Sequence, residues 1–209
     1  HVAEAAEALG FYLIHASTDY VFDGAKQAPY VETDVPAPLN AYANTKLSGE
    51  HFVLAGTSSA AVMRICGLYG RNPCRAKGGT NFVELMLKLA QTRDEVRVVQ
   101  NEVLTPTSAN AVAQQISAMI DQPVYGICHA TAEGYCSWFE FASAIFRIMD
   151  WDVNLNVAAP EEFPSPVNRP EYSVLENQKL KAHGINTFAH WEEGLRHYLL
   201  YERTPEPAS

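Results

Sequence analysis

The stretch FYLIHASTDYVFDG, residues 11–24, decides how the chain is read. Its first half, FYLIHA, is an apolar run of strand length. It runs into Ser17, Thr18 and Asp19, three small polar side chains at what reads as a strand's C-terminal edge. Ahead of it, HVAEAAEALG (1–10) has the pattern of an amphipathic helix that stops at Gly10, not that of a signal peptide. A helix feeding a buried strand belongs to the middle of an alternating α/β series. In such a sheet the carboxyl edge of the strands is where ligands bind. Because the chain opens inside a helix and without Met, a further N-terminal portion is expected before residue 1.

The alternation continues outward from this stretch. A Pro-, Asp- and Gly-rich loop (17–40) leads to a helix over about 41–55 that stops near Gly56, and AAVMRIC (60–66) reads as a buried strand. The loop GLYGRNPCRAKGG (67–79) holds four glycines and several cations. TNFVELMLKLAQT (80–92) has apolar residues at helical spacing, and VRVV (96–99) is a short strand. Ser108 is a natural N-cap for a helix over 108–120, VYGICHA (124–130) is a strand, and Ser137 with Glu140 forms a capping box at the head of a helix over 137–149. APEEFPSPVNRPEYS (159–173) carries four prolines and predicts an ordered loop or lid, and HWEEGLRHYLLYER (190–203) predicts a last helix. Strands alternating with helices imply an α/β fold with a Rossmann-like, mainly parallel sheet, here without its first strands. The Pro-rich region suggests a smaller C-terminal lobe over the strand ends.

Composition narrows the function classes. The 209 residues are 47% hydrophobic and 19% charged, in the range of globular proteins. A net charge of −9 disfavours a general nucleic-acid or anionic-membrane binder, since phosphate binding needs concentrated Lys and Arg. No apolar run reaches the roughly 18 residues of a membrane span. Cys66, Cys74, Cys128 and Cys136 form no C-x-x-C pairs, and the seven histidines no H-E-x-x-H, so no metal site is expected. Cys66 and Cys128 lie in apolar runs and read as reduced core residues, which suggests a cytoplasmic protein.

The chemistry begins at YANTK (42–46). Tyr42 and Lys46 are four residues apart and share one helix face. A nearby cation favours phenolate, and each unit by which a pKa falls corresponds to about 1.4 kcal/mol. Such a Tyr can protonate a carbonyl oxygen while hydride reaches its carbon. A lone Y-x-x-x-K also arises often by chance; STDYVF at a strand end upstream is what gives this one weight.

STDYVFDG…PYVETDVPAPLNAYANTKLSGE closely resembles the dTDP-4-dehydrorhamnose reductase branch of the extended short-chain dehydrogenase/reductases. The likeness continues through RICGLYG (64–70), NFVELML (81–87), VVQNEVLTPT (98–107), YGICHATAEGYCSW (125–138) and NRPEYSVLENQKL (168–180). It implies NADPH- or NADH-dependent reduction of the 4-keto group of a dTDP-linked 6-deoxysugar, with Thr18, Tyr42 and Lys46 as the catalytic set. Thr18 would bind the keto oxygen, Tyr42 would give the proton, and Lys46 would hold the nicotinamide ribose. Ser17 and Gly67 join Tyr42 and Lys46 as cofactor-side positions, although packing at the strand end is the plainer role for Ser17. Asp19, Tyr20, Asn81 and Arg169 join Thr18 on the substrate side; Asp19 could equally be a turn-former, and Asn81 a helix N-cap. Thr105-Pro106-Thr107 would shape the floor. On this resemblance, residues 1–150 are the remainder of the NAD(P)-binding domain with interleaved substrate-lobe segments. Residues 151–203 are mostly substrate lobe, and 204–209 a disordered tail. A homodimer is possible.

Three departures stand out. The 209 residues hold no G-x-x-G-x-x-G dinucleotide turn. Gly67 stands where rhamnose-forming enzymes often carry Trp. Asn101, Glu102 and Leu104 depart from the commoner D-Q-x-G-x-P-T pattern. A non-catalytic regulatory subunit, like the methionine adenosyltransferase β-subunits, and a nucleotide-sugar epimerase are the alternatives.

Overall fold

The structure is a computed structural model that describes residues 1–72, 79–163 and 165–203. Cys74, Arg75 and Lys77 of the cationic loop, Pro164, and the tail at 204–209 lie outside the described residues.

Helix α1 (Val2–Leu9) stops at Gly10, whose φ of 70° is the left-handed conformation a glycine adopts without strain. The Gly10 and Phe11 amides both close back onto Ala6 O, so residues 10 and 11 belong to the helix stop. Strand β1 therefore starts at Leu13, later than the apolar run suggests, and runs through Thr18 (Leu13–Thr18). Helix α2 (Ala41–Gly56) and strand β2 (Ala60–Ile65) follow, then β3 (Leu68–Tyr69), α3 (Phe82–Thr92), β4 (Val96–Val99), β5 (Val103–Leu104), β6 (Thr107–Ser108) and α4 (Ala109–Asp121). The remainder is β7 (Gly126–His129), β8 (Cys136–Ser137), α5 (Trp138–Met149), β9 (Leu155–Ala158), α6 (Gln178–Ala182) and α7 (Trp191–His197), with a π-turn over Tyr198–Glu202. The caps read from the sequence are in place: Ser108 accepts from Ala111 N, and Ser137 and Glu140 make the full capping box.

The central sheet is parallel, in the order β1-β2-β7. Ser17 stands opposite Arg64, and Arg64 opposite His129. Alternate side chains of a strand leave opposite faces. Ala61, Met63 and Cys128 pack with Val112 and Met119 of α4 and with Leu180, Ile185 and Phe188. Ala60 and Val62 face the other way, onto Val53 of α2. Helices on both faces of a parallel sheet make this a Rossmann-like α/β fold.

A second and larger core gathers α3, β4, α5 and α7 around Val83, Met86, Phe141, Ile145, Trp191, Leu195 and Tyr198. Here VRVV is not part of the central sheet; β4 pairs in parallel with β9. Two more short pairs, parallel β3–β6 and antiparallel β5–β8, stitch the two cores together near the cleft. Cys66, Cys128 and Cys136 are free and buried, as the apolar runs around them imply. No helix is long and apolar enough to cross a membrane.

Candidate active site

A cleft of about 1050 Å³ opens at the C-terminal ends of β1 and β2. Ser17, Thr18, Asp19, Tyr20, Tyr42, Gly67, Asn81 and Arg169 all line it. Eight of the nine positions singled out in the sequence thus meet at one place. The ninth, Lys46, lies one turn along α2 from Tyr42, behind the lining.

Thr18 ends β1 and caps the 3₁₀ turn Asp19–Val21: its hydroxyl accepts from Tyr20 N (3.2 Å) and donates to Asp19 Oδ1 (3.0 Å). Asp19 is only 4% exposed. Its Oδ2 accepts from Cys66 Sγ at 3.0 Å. Burial pushes the Asp19 carboxyl up from its ordinary value, against the hydrogen bonds from Ser173, Cys66 and Thr18 that pull it down. The desolvation of a fully enclosed carboxylate wins over three neutral donors. Burial also raises Tyr20, assisted by the Asp19 charge and opposed by that of Arg169.

Helix α2 begins at Asn40, whose side chain accepts from Ala43 N (2.9 Å) and donates to Asn168 O (2.9 Å). The Pro-rich loop is thereby tied to the head of the helix, next to Arg169. Tyr42 is half exposed to the cleft, with Tyr20 edge-on at 6.4 Å. Lys46 Nζ donates to Ala16 O at 2.5 Å. Ser17 points into the protein and donates to Glu50 Oε1, so packing is its role here.

Gly67 has a φ of +56°, and a Cβ there would stand 3.0 Å from Leu104 Cδ1, Pro106 Cα and Thr105 O. Glycine is the residue this turn admits. Asn81 caps α3 by accepting from Glu84 N (3.0 Å), while its amide donates to Gly70 O (2.9 Å) and Tyr198 OH (3.3 Å). Arg169 is exposed and borders both the cleft and an adjoining cavity of about 530 Å³.

Sequence reading missed the far wall of the cleft. Phe82 stacks on Trp138 (4.4 Å) and on Phe141 (5.5 Å), and Trp138 Nε1 donates to Glu102 Oε2 at 3.0 Å. An aromatic just inside each of two N-caps, Asn81 and Ser137, was the available signal. Also missed were Glu50 and Arg64, which form a buried ion pair under α2. Among the described residues, no group of three or more His, Cys, Asp or Glu is placed to hold a metal ion.

A parallel sheet with Thr18 at a strand end and a Tyr-x-x-x-Lys helix beside it is the arrangement expected of a short-chain dehydrogenase/reductase. The chain belongs to the family described as RmlD substrate binding domain, whose model matches residues 1–203. It is 37% identical over 191 residues to the spore coat polysaccharide biosynthesis protein SpsK of Bacillus subtilis, an alignment covering 91% of this chain and 65% of that protein. A crystal structure of a dTDP-4-dehydrorhamnose reductase from Clostridium acetobutylicum superposes with a TM-score of 0.88 at 41% identity, covering 95% of this chain and 68% of that one. The dTDP-4-dehydrorhamnose reductase from Bacillus anthracis, solved in complex with NADP, gives a TM-score of 0.88 at 36% identity, covering 95% and 69%. The chain therefore spans about two thirds of the length of such relatives.

Proposed function

We propose that this chain carries the proton-donating and substrate-binding part of an NAD(P)H-dependent reductase acting on the 4-keto group of a dTDP-linked 6-deoxysugar, forming dTDP-rhamnose for cell-surface polysaccharide. The observation that carries the reading is the convergence of Thr18, Tyr42 and Arg169 on one cleft. Likeness to proteins named dTDP-4-dehydrorhamnose reductase, one of them solved with NADP, supports it.

The residues present fit a nicotinamide cofactor on the ribose side. Lys46 donates one hydrogen bond, to Ala16 O, and an ammonium has three donors. Two remain for ribose hydroxyls. A reduced nicotinamide held there supplies the hydride. Thr18 and Tyr42 then act on the other end of the carbonyl. The Thr18 hydroxyl is held at the strand end by Asp19 and Tyr20, which sets where it can meet the keto oxygen. Tyr42, open to the cleft, donates the proton. The Lys46 charge on the same helix face favours the phenolate left behind.

Arg169 suits the diphosphate, because a guanidinium fork matches phosphate oxygens. The aromatic wall of Phe82 and Trp138 offers a face to a planar base or a sugar ring. The core built on α3, α5 and α7 serves as the substrate lobe, and the three-stranded sheet as part of the cofactor domain. Reduced, buried cysteines suit a cytoplasmic enzyme.

Tyr42→Phe removes the proton and keeps the ring. In the complete polypeptide, turnover of a dTDP-4-keto-6-deoxysugar should fall by about 10²–10⁴-fold with NADPH binding nearly unchanged. Activity within a few-fold of wild type would remove Tyr42 from the chemistry.

A further inference from the structure

Helix α2 bears the proposed proton donor, yet little apolar surface holds it in place. Its only fully buried side chains are Ala43, Val53 and Glu50. Tyr42, Lys46 and Glu50 follow one another at intervals of four, along one face. The face that presents the phenol and the ammonium therefore ends in a carboxylate that is 0% exposed.

That carboxylate is fully engaged. Arg64 Nε donates to Glu50 Oε1 at 3.0 Å and an Arg64 terminal nitrogen to Oε2 at 2.7 Å, the two-pronged pairing a guanidinium makes best. Ser17 Oγ donates to Oε1 as well. Ser17, Arg64 and His129 stand in one row across β1, β2 and β7, so the pair grips the sheet at the level where Thr18 begins the cleft. The other Arg64 terminal nitrogen is buried without a partner among the described residues, which leaves Glu50 as the guanidinium's counter-charge. Along β1 the contacts come in sequence: Ala16 O takes Lys46, Ser17 Oγ takes Glu50, and Thr18 faces the cleft.

We propose that Glu50 and Arg64 are positioning residues: a buried polar clamp that sets the height of α2 against β1 and so the placing of Tyr42 and Lys46 relative to Thr18. The kinetic arm of this inference rests on the reductase reading; its exchange arm does not. A buried ion pair is seldom needed for stability alone, because apolar replacements of similar volume are often neutral or stabilising. Directional bonds, unlike apolar contact, fix register, and misplacement of about 1 Å can cost on the order of 100-fold in rate.

The test is Glu50→Leu/Arg64→Met in the complete polypeptide, with Glu50→Gln beside it so that an unfolded double variant still leaves a folded one to measure. Three quantities are read: Tm, steady-state kinetics, and amide hydrogen exchange along α2 against α5. The expected result is a double variant with Tm near wild type, kcat lowered at least about tenfold, KM for the sugar nucleotide within about twofold, and faster exchange in α2 only. A folded variant with wild-type kcat, or with α2 exchange unchanged, overturns the clamp. A wild-type protein that reduces no dTDP-4-keto sugar overturns the reductase reading instead, and α2 exchange then decides the clamp by itself.

Discussion

His129 shows how a single residue is committed by its surroundings. Its Nδ1 lies 3.1 Å from Tyr30 O and 3.2 Å from Glu176 O, two carbonyls that can only accept. Nδ1 must therefore carry the proton, and the ring is neutral. Burial, with the Arg64 charge adding to it, pulls the His129 pKa down from 6.5 to about 3. The unfolded chain takes up a proton near 6.5, whereas the folded chain does not until about 3. Stability from this site is full above about pH 6.5 and is lost as the pH falls through that window, by up to about 1.4 kcal/mol per pH unit. His129→Asn keeps a donor near the Nδ1 position but has nothing to titrate. Its urea midpoint should vary less between pH 6.5 and 4.5 than that of wild type. Parallel pH dependences would mean that His129 is already charged in the fold.

At the scale of elements, the turn from β2 into β3 is the tight point of the cleft. Gly67 O accepts from Thr107 N (3.2 Å), so the turn is pinned to β6 while its Cα is pressed against Thr105 and Pro106. Gly67→Ala puts a side chain at positive φ and against backbone atoms that cannot swing away. It should cost about 1–3 kcal/mol and lower the Tm by several degrees, at about 2–4 °C per kcal/mol for a chain of this size. A Tm within a degree of wild type would mean that the turn relaxes. Much at this scale is legible in sequence. Ser108 and the Ser137–Glu140 box announce their helices, and the long apolar runs announce β1, β2 and β7. Pairing between two-residue strands is not legible, because β3–β6 and β5–β8 have too few residues for any period to show. Nor is the partner of VRVV, which finds β9 more than fifty residues on. The site residues were legible as types, through STDY and YANTK. What each side chain does was not: Ser17 turns inward to Glu50, and Asn81 spends its polar atoms on the cap and the Gly70 turn. The Glu50–Arg64 pair joins residues 14 apart on different elements, and no local pattern marks it.

For the molecule as a whole, charge is the deciding quantity. The chain carries a net charge of −9, and the proposed substrate brings about two more negative charges on its diphosphate. Local cations must overcome that background. Arg169 is placed to do so: it is exposed, it borders both the cleft and the adjoining cavity, and its field reaches Tyr20 beside the catalytic set. Its loop is stiff. Pro170 is buried, and Asn168 O is held by the Asn40 side chain at the head of α2, so little freedom is lost when the loop meets a ligand. A charged hydrogen bond is worth about 1.5–3 kcal/mol, which corresponds to a KM for the sugar nucleotide raised about tenfold or more in Arg169→Ala, with NADPH affinity unchanged. Arg169→Lys keeps the charge but loses the planar fork, and should recover only part of the loss. Raising the salt concentration should weaken wild type more than Arg169→Ala, since the cation is open to solvent and its attraction is screened. An unchanged KM in Arg169→Ala would move the diphosphate to the opposite end of the cleft, where Arg71 is the cation in its lining.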